Sequence, residues 1–200
     1  QALADWVDEV AVRTRPDEIY WCNGSDEEFD SLVKHMLADG TLKTLNEERY
    51  PNCYLHLSDP NDVARVEHLT YVCTPEQEDA GPNNNWMSPD DAHAKMDALF
   101  DGCMRGRTMY IIPFSMGPIG SPIAHIGVEI SDSAYVVINQ RMMTRMGQAA
   151  LDALGPEDDF VPCMHSVGAP LAPGEQDVPW PCATSIEEKY ISHFPETREI

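Results

Sequence analysis

The sequence predicts an α/β domain, with helices packed on a β-sheet. Three observations predict it. Helix and strand signals alternate along all 200 residues. Residues 107–114 (RTMYIIPF) form an apolar, partly β-branched run bounded by turn residues, the pattern of a buried strand. Residues 25–40 carry a complete helix signature. Ser25 and Glu28 make a capping box, Phe29, Leu32, Val33, Met36 and Leu37 recur at helical spacing, and Gly40 closes the end.

The remaining elements follow the same logic. Residues 5–13 read as a first helix, stopped before Pro16, and residues 18–22 as a short strand. Residues 54–57 read as a strand. In residues 58–67 Asp59 can cap a turn, Pro60 suits its first position and Asp62 favours its positive end. That turn leads into a strand at 69–73. Residues 74–87 read as a polar loop. A helix starts at Ser88-Pro89-Asp90-Asp91 and runs to Phe100. Past the 107–114 strand, residues 115–122 form a Gly/Pro-rich connection and residues 127–130 a short strand. A helix over 133–146 ends at Gly147, and a shorter one over 148–154 ends at Gly155. Strands near 160–165 and 189–194 flank a Pro-rich loop at 169–181. No repeat and no low-complexity tract interrupts the order.

Composition narrows the function. The chain is 42% hydrophobic, enough for a core without disulfide staples. Its six cysteines form no CxxC pair, so reduced thiols in a cytosolic protein are expected. No run approaches a membrane span, and the first residues do not read as a signal peptide. Lys+Arg number 13 against 34 Asp+Glu, for a net charge of -21. Such a field repels nucleic acid and anionic lipid, so neither is an expected partner.

No motif of the chain completes a catalytic site. None of the seven histidines sits in HExxH, and no Cys/His set has zinc spacing. Gly-x-Ser-x-Gly is absent. Ser115-Met116-Gly117-Pro118-Ile119-Gly120 lacks the Lys-[Ser/Thr] of a phosphate loop, and its prolines remove N–H donors, so it reads as a rigid connection. Against so much negative charge, arginines are the informative residues. A guanidinium holds a carboxylate bidentately and stays charged. Arg65, Arg105, Arg107, Arg141 and Arg145 are the candidates for an anion anchor; composition alone favours ion pairs with the abundant acids. A helix over 133–146 would put Arg141 and Arg145 on one face.

Five segments carry a resemblance. They are Asp62-Val63-Ala64-Arg65-Val66-Glu67, the 106–118 stretch GRTMYIIPFSMGP, Met143-Thr144-Arg145-Met146-Gly147, His165-Ser166-Val167-Gly168, and the 193–200 stretch HFPETREI. In this order and spacing the chain resembles the GTP-dependent phosphoenolpyruvate carboxykinases, and Gly81-Pro82-Asn83-Asn84-Asn85-Trp86 resembles their bacterial branch. The likeness covers essentially the whole chain. Two departures stand out: His68-Leu69 follow Glu67 where the family has a small polar and then a basic residue, and Asn139-Gln140 replaces a usual Ser-Met.

The resemblance implies a mixed β-sheet with flanking helices, forming over residues 1–200 the N-terminal, substrate-side domain of a carboxykinase. It implies cytoplasmic gluconeogenic chemistry: oxaloacetate and GTP give phosphoenolpyruvate, GDP and CO2, with Mn²⁺ or Mg²⁺. It implies that Arg65 binds the carboxylate of oxaloacetate or phosphoenolpyruvate, and that Glu67 contacts the mobile lid. In an extended segment the two would point to one side. The family's glycine-rich substrate loop, metal ligands, GTP phosphate loop and lid follow the position of Ile200. The expectation is therefore a fragment, inactive alone, that binds no metal or GTP by itself and whose partner is the C-terminal nucleotide-binding domain. The alternative is a natural stand-alone binding domain of the same fold.

Overall fold

The computed structural model describes residues 1–58, 67–155, 159–183 and 185–200. It is a mixed α/β structure, as the alternation predicts. A five-stranded sheet is built from β1 (Glu18–Trp21), β6 (Thr108–Ser115), β7 (Ile126–Ser131), β8 (Arg145–Met146) and β9 (Val161–Met164). Its order is β1-β6-β7-β9. β6 runs parallel to β1 and antiparallel to β7, and β7 runs parallel to β9. β8 pairs antiparallel with Phe114 and Ser115 at the end of β6. The strand with the strongest apolar run thus lies between β1 and β7, with apolar clusters packed on both of its faces.

The alternation along β6 divides the core. Met109 and Ile111, with Val128 and Ile130 of β7, pack against Leu3, Val7 and Val10 of α1 (Ala2–Thr14). Ile112, on the opposite face, packs with Cys22 and with Val137 of α4 (Ala134–Met143). Beside α4, Val33 and Met36 of α2 (Asp26–Ala38) join Ile138 in a further cluster. α3 (Pro89–Phe100) lies beside α1, bound to it by Arg13–Asp97, and Arg15 at the end of α1 pairs with Asp101 at the end of α3. Gly127 needs its missing Cβ: the Phe114 ring lies over it, 2.5 Å from where that atom would be.

The α2 cap differs from a reciprocal capping box. Ser25 accepts from the Glu28 N–H as expected, at 3.1 Å. The Glu28 carboxylate passes over Ser25 and accepts from the N–H groups of Asn23 (2.8 Å) and Gly24 (2.9 Å). It thereby satisfies two donors of the incoming chain, which justifies burying a carboxylate there.

Three two-residue strands were not expected: β2 (Lys43–Thr44), which pairs with β3 (Tyr54–Leu55), then β5 (Asn85–Trp86) inside the expected 74–87 loop, and β8. β8 also shortens a helix. α4 stops at Met143, not 146, so Arg145 is an exposed strand residue and does not share a helical face with Arg141. Gly147 is the N-cap of the short α5 (Gln148–Ala153). Its φ is +104°, its N–H donates to Pro113 O at 2.8 Å, and a Cβ would stand 2.1 Å from Asn23 O. A glycine is required here by backbone approach as well as by φ. None of the six cysteines, all of them described, is in a disulfide.

Candidate substrate-binding site

Glu67, one of the two predicted site residues, lies just ahead of a strand of a second sheet. β4 (Thr70–Val72) is its centre, between β5 and β10 (Ile191–His193), all three parallel. Under it, Cys73, Ala92 and Phe194 form a small core with Tyr71 and Met87. After β10 the chain bridges Phe194 to Glu199, and Ile200 hydrogen-bonds Met164 and Pro162 on the edge of β9. The two sheets are joined through that return.

Glu67 stands immediately before β4. It opens a 3-10 turn, Glu67–Leu69, and is exposed with its neighbour His68. The extended geometry in which Arg65 and Glu67 would share a side does not hold at Glu67, where the chain is turning. Arg65 lies outside the described residues. Among the described residues no hydrogen bond or ion pair holds the Glu67 carboxylate, while its backbone is held firmly. Asn85 Nδ2 donates to Glu67 O at 2.6 Å and to Thr70 O at 3.0 Å. Sequence reasoning missed Asn85. Its signal was present in the Asn83-Asn84-Asn85 run, which reads as loop composition until a partner is known.

Of the other candidate arginines, Arg107 and Arg141 have structural employment. Arg107 is buried, with its fork spent on both oxygens of Asp177 (2.7 and 2.9 Å) and its Nε on Ala169 O (2.8 Å). It clamps the Pro-rich 169–181 loop to the start of β6. Arg141 binds Gly24 O at 3.0 Å, pairs with Asp26 and lies over the Phe29 ring. Arg105 and Arg145 are exposed. The His165-Ser166-Val167-Gly168 segment is held by buried Asp132, which accepts from Val167 N and Ser166 Oγ, each at 2.9 Å. His165 Nδ1 is 2.9 Å from Ser131 Oγ. Burial pushes the Asp132 carboxyl above the usual range, against the lowering pull of the Val167 N–H, His165, Ser166 and Arg107.

Against known proteins, the family model for the phosphoenolpyruvate carboxykinase N-terminal domain matches residues 5–200. The chain belongs to that family. It is 50% identical over 200 residues to a phosphoenolpyruvate carboxykinase (GTP) of Corynebacterium jeikeium, covering 100% of this chain and 32% of that protein. The enzyme of the same name from Neocallimastix frontalis is 50% identical over 198 residues, 99% of this chain and 32% of that one. That of Chlamydia trachomatis is 49% identical over 198 residues, 99% and 33%. The chain therefore spans about a third of the length of the curated relatives it matches.

Among the described residues no group of three or more His, Cys, Asp or Glu side chains could hold a metal ion, so they do not fit the metal that such an enzyme implies. The 116–125 connection between β6 and β7 contains Pro118 and Pro122, which have no N–H, and the Gly117 N–H is directed at Ser115 Oγ at 3.4 Å, so it lacks the unbroken run of donors that a phosphate loop presents. No described helix is long and apolar enough to cross a membrane.

Proposed function

We propose that this chain forms the substrate-side wall of a GTP-dependent phosphoenolpyruvate carboxykinase. The observation that carries the reading is the identity of about half over the whole chain to enzymes of that name. In the reaction, the bond between the departing carboxylate and the neighbouring carbon of oxaloacetate breaks. CO2 leaves and its electron pair remains as an enolate. The enolate oxygen takes the γ-phosphoryl group of GTP, and GDP departs. A divalent metal, Mn²⁺ or Mg²⁺, supplies charge stabilisation to such a reaction when bound. In this reading the metal ligands and the nucleotide site belong to the two-thirds of the relatives' length that this chain does not match.

The chain's own contribution is binding and closure. Arg65 offers a bidentate, permanently charged partner to a substrate carboxylate, a strong interaction in a site that the remaining domain dries. It acts against the field of a net charge of -21 through directed short-range hydrogen bonds, not through long-range attraction. Glu67, exposed and with its carboxylate uncommitted among the described residues, is suited to meet a mobile lid. The same reading places the protein in the cytoplasm, supported by six thiols outside any disulfide. It also makes the 200-residue chain alone inactive on oxaloacetate and unable to bind GTP.

The test is Arg65→Ala in the full-length enzyme. The variant raises the KM for oxaloacetate and phosphoenolpyruvate by the equivalent of about 2–5 kcal/mol and leaves the KM for GTP nearly unchanged. Equal losses for all three substrates would overturn the assignment.

A further inference from the structure

The Gly81-Pro82-Asn83-Asn84-Asn85-Trp86 segment has no part in the proposed chemistry, yet its side chains are used with unusual regularity. Asn84 Nδ2 donates to Ala80 O at 2.7 Å. Asn85 Nδ2 donates to Glu67 O and Thr70 O. Trp86 Nε1 donates to Thr74 O at 2.9 Å. Three consecutive side chains each satisfy a backbone carbonyl. Asn84 closes its own loop, and Trp86 ties β5 to the exit of β4. Only Asn85 reaches the turn ahead of β4.

Its geometry is specific. The two carbonyls it holds flank the 3-10 turn, one at Glu67 and one at Thr70. A carboxamide nitrogen has two hydrogens in a fixed plane, so one planar group can serve both acceptors. The backbone of Asn85 is itself fixed, because it pairs in register with Tyr71. The side chain therefore transfers the rigidity of the β4–β5 ladder to the turn, and with it to the Cα of Glu67. Among the described residues no hydrogen bond or ion pair of the Glu67 side chain does this instead. An exposed acid on an untethered turn would sample many positions, and meeting a partner would then require ordering it first.

We propose that Asn85 is a positioning residue for the substrate site, one that acts through Glu67 by pinning the turn that carries it. This rests on the reading of Glu67 given above. No other side chain of the standard set replaces the function well. Asp has the shape but would turn two acceptors towards two carbonyl oxygens. Ala leaves both carbonyls to water, and Gln carries its two donors one methylene too far.

The experiment is a double-mutant cycle between residues 85 and 67 in the full-length enzyme. Asn85→Asp lowers kcat/KM for oxaloacetate about tenfold, as expected for the loss of one or two such bonds. The melting midpoint moves by no more than about 2–4 °C, the cost of a lost surface hydrogen bond in a domain of this size. Glu67→Gln gives a loss of similar kind, and Asn85→Asp adds little to it. Asn85→Ala, which places no acceptors against the carbonyls, shows the same non-additivity and serves if the Asp variant does not fold. Full additivity with Glu67→Gln, or an unchanged kcat/KM, would overturn the proposal. If Glu67→Gln is itself silent, the underlying reading of Glu67 fails; if Glu67→Gln is impaired and both Asn85 variants are silent, only the positioning role fails.

Discussion

The two sheets of this domain are held by different forces. In the large sheet, β6 is buried along nearly its whole length, and Met109, Ile111 and Ile112 have no exposed surface. Apolar packing on both faces fixes it. In the small sheet no strand exceeds three residues, its core is a few side chains, and polar tethers do much of the positioning. Burial is non-directional and tolerates small shifts, whereas a carboxamide spanning two carbonyls accepts one arrangement. Glu67, the described residue of the proposed pair, adjoins the second kind of structure. Function there should be lost through single polar changes that barely touch global stability, and stability lost through apolar changes far from the site.

The largest expected effect is on the packed sheet. Ile112→Ala removes a fully buried side chain between Cys22 and Val137 and should cost about 2–5 kcal/mol in denaturant unfolding of the domain. A cost under about 1 kcal/mol would break the contrast. A smaller effect is expected in the tethered sheet. Trp86→Phe keeps the ring but loses the donor to Thr74 O, at about 1 kcal/mol. Amide hydrogen exchange should quicken at Tyr71 and Cys73 and stay unchanged along β6; uniform quickening would show that the two sheets open as one unit.

The smallest effect sharpens the contrast by placing one polar group inside the packed sheet. Glu129 of β7 is half-buried, and burial pushes its carboxyl above the usual range, while Gln140 and His165 pull it down. Gln140 Nε2 donates to it, and Gln140 Oε1 is buried with no hydrogen-bond partner among the described residues. A carboxyl whose folded pKa is raised contributes its full share of stability below the unfolded value of about 4.3. That share is lost as pH rises through the folded value. Glu129→Gln removes this loss and offers an N–H to Gln140 Oε1. It should match the wild type near pH 4 and become the more stable of the two towards neutrality. Melting curves across that range check it, and parallel pH profiles for the two proteins would show that Glu129 is not the group responsible.

Much of the fold was legible in the sequence. The 107–114 run announced the central strand, Ser25 and Ser88 marked helix starts where α2 and α3 begin, and the 115–122 segment proved to be a strand-to-strand connection. These signals are local: an apolar period or a cap is written within about ten residues. β2, β5 and β8 were not legible, because a two-residue strand has no period and exists only through its partner. For the same reason Gly147 read as a helix stop, whereas the approach of Asn23 makes it the start of α5.

The site divides the same way. By itself the sequence determined the family, through motifs whose order and spacing do not depend on where they meet in space, and it singled out Arg65 and Glu67 by their place in one of those motifs. Only the tertiary structure decided that Arg107 and Arg141 are spent on Asp177 and Asp26, that Glu67 begins a turn, and that Asn85 holds it. Hydrogen bonds join residues as distant in sequence as Arg141 and Gly24, 117 positions apart, and no local pattern records which donor will find which acceptor.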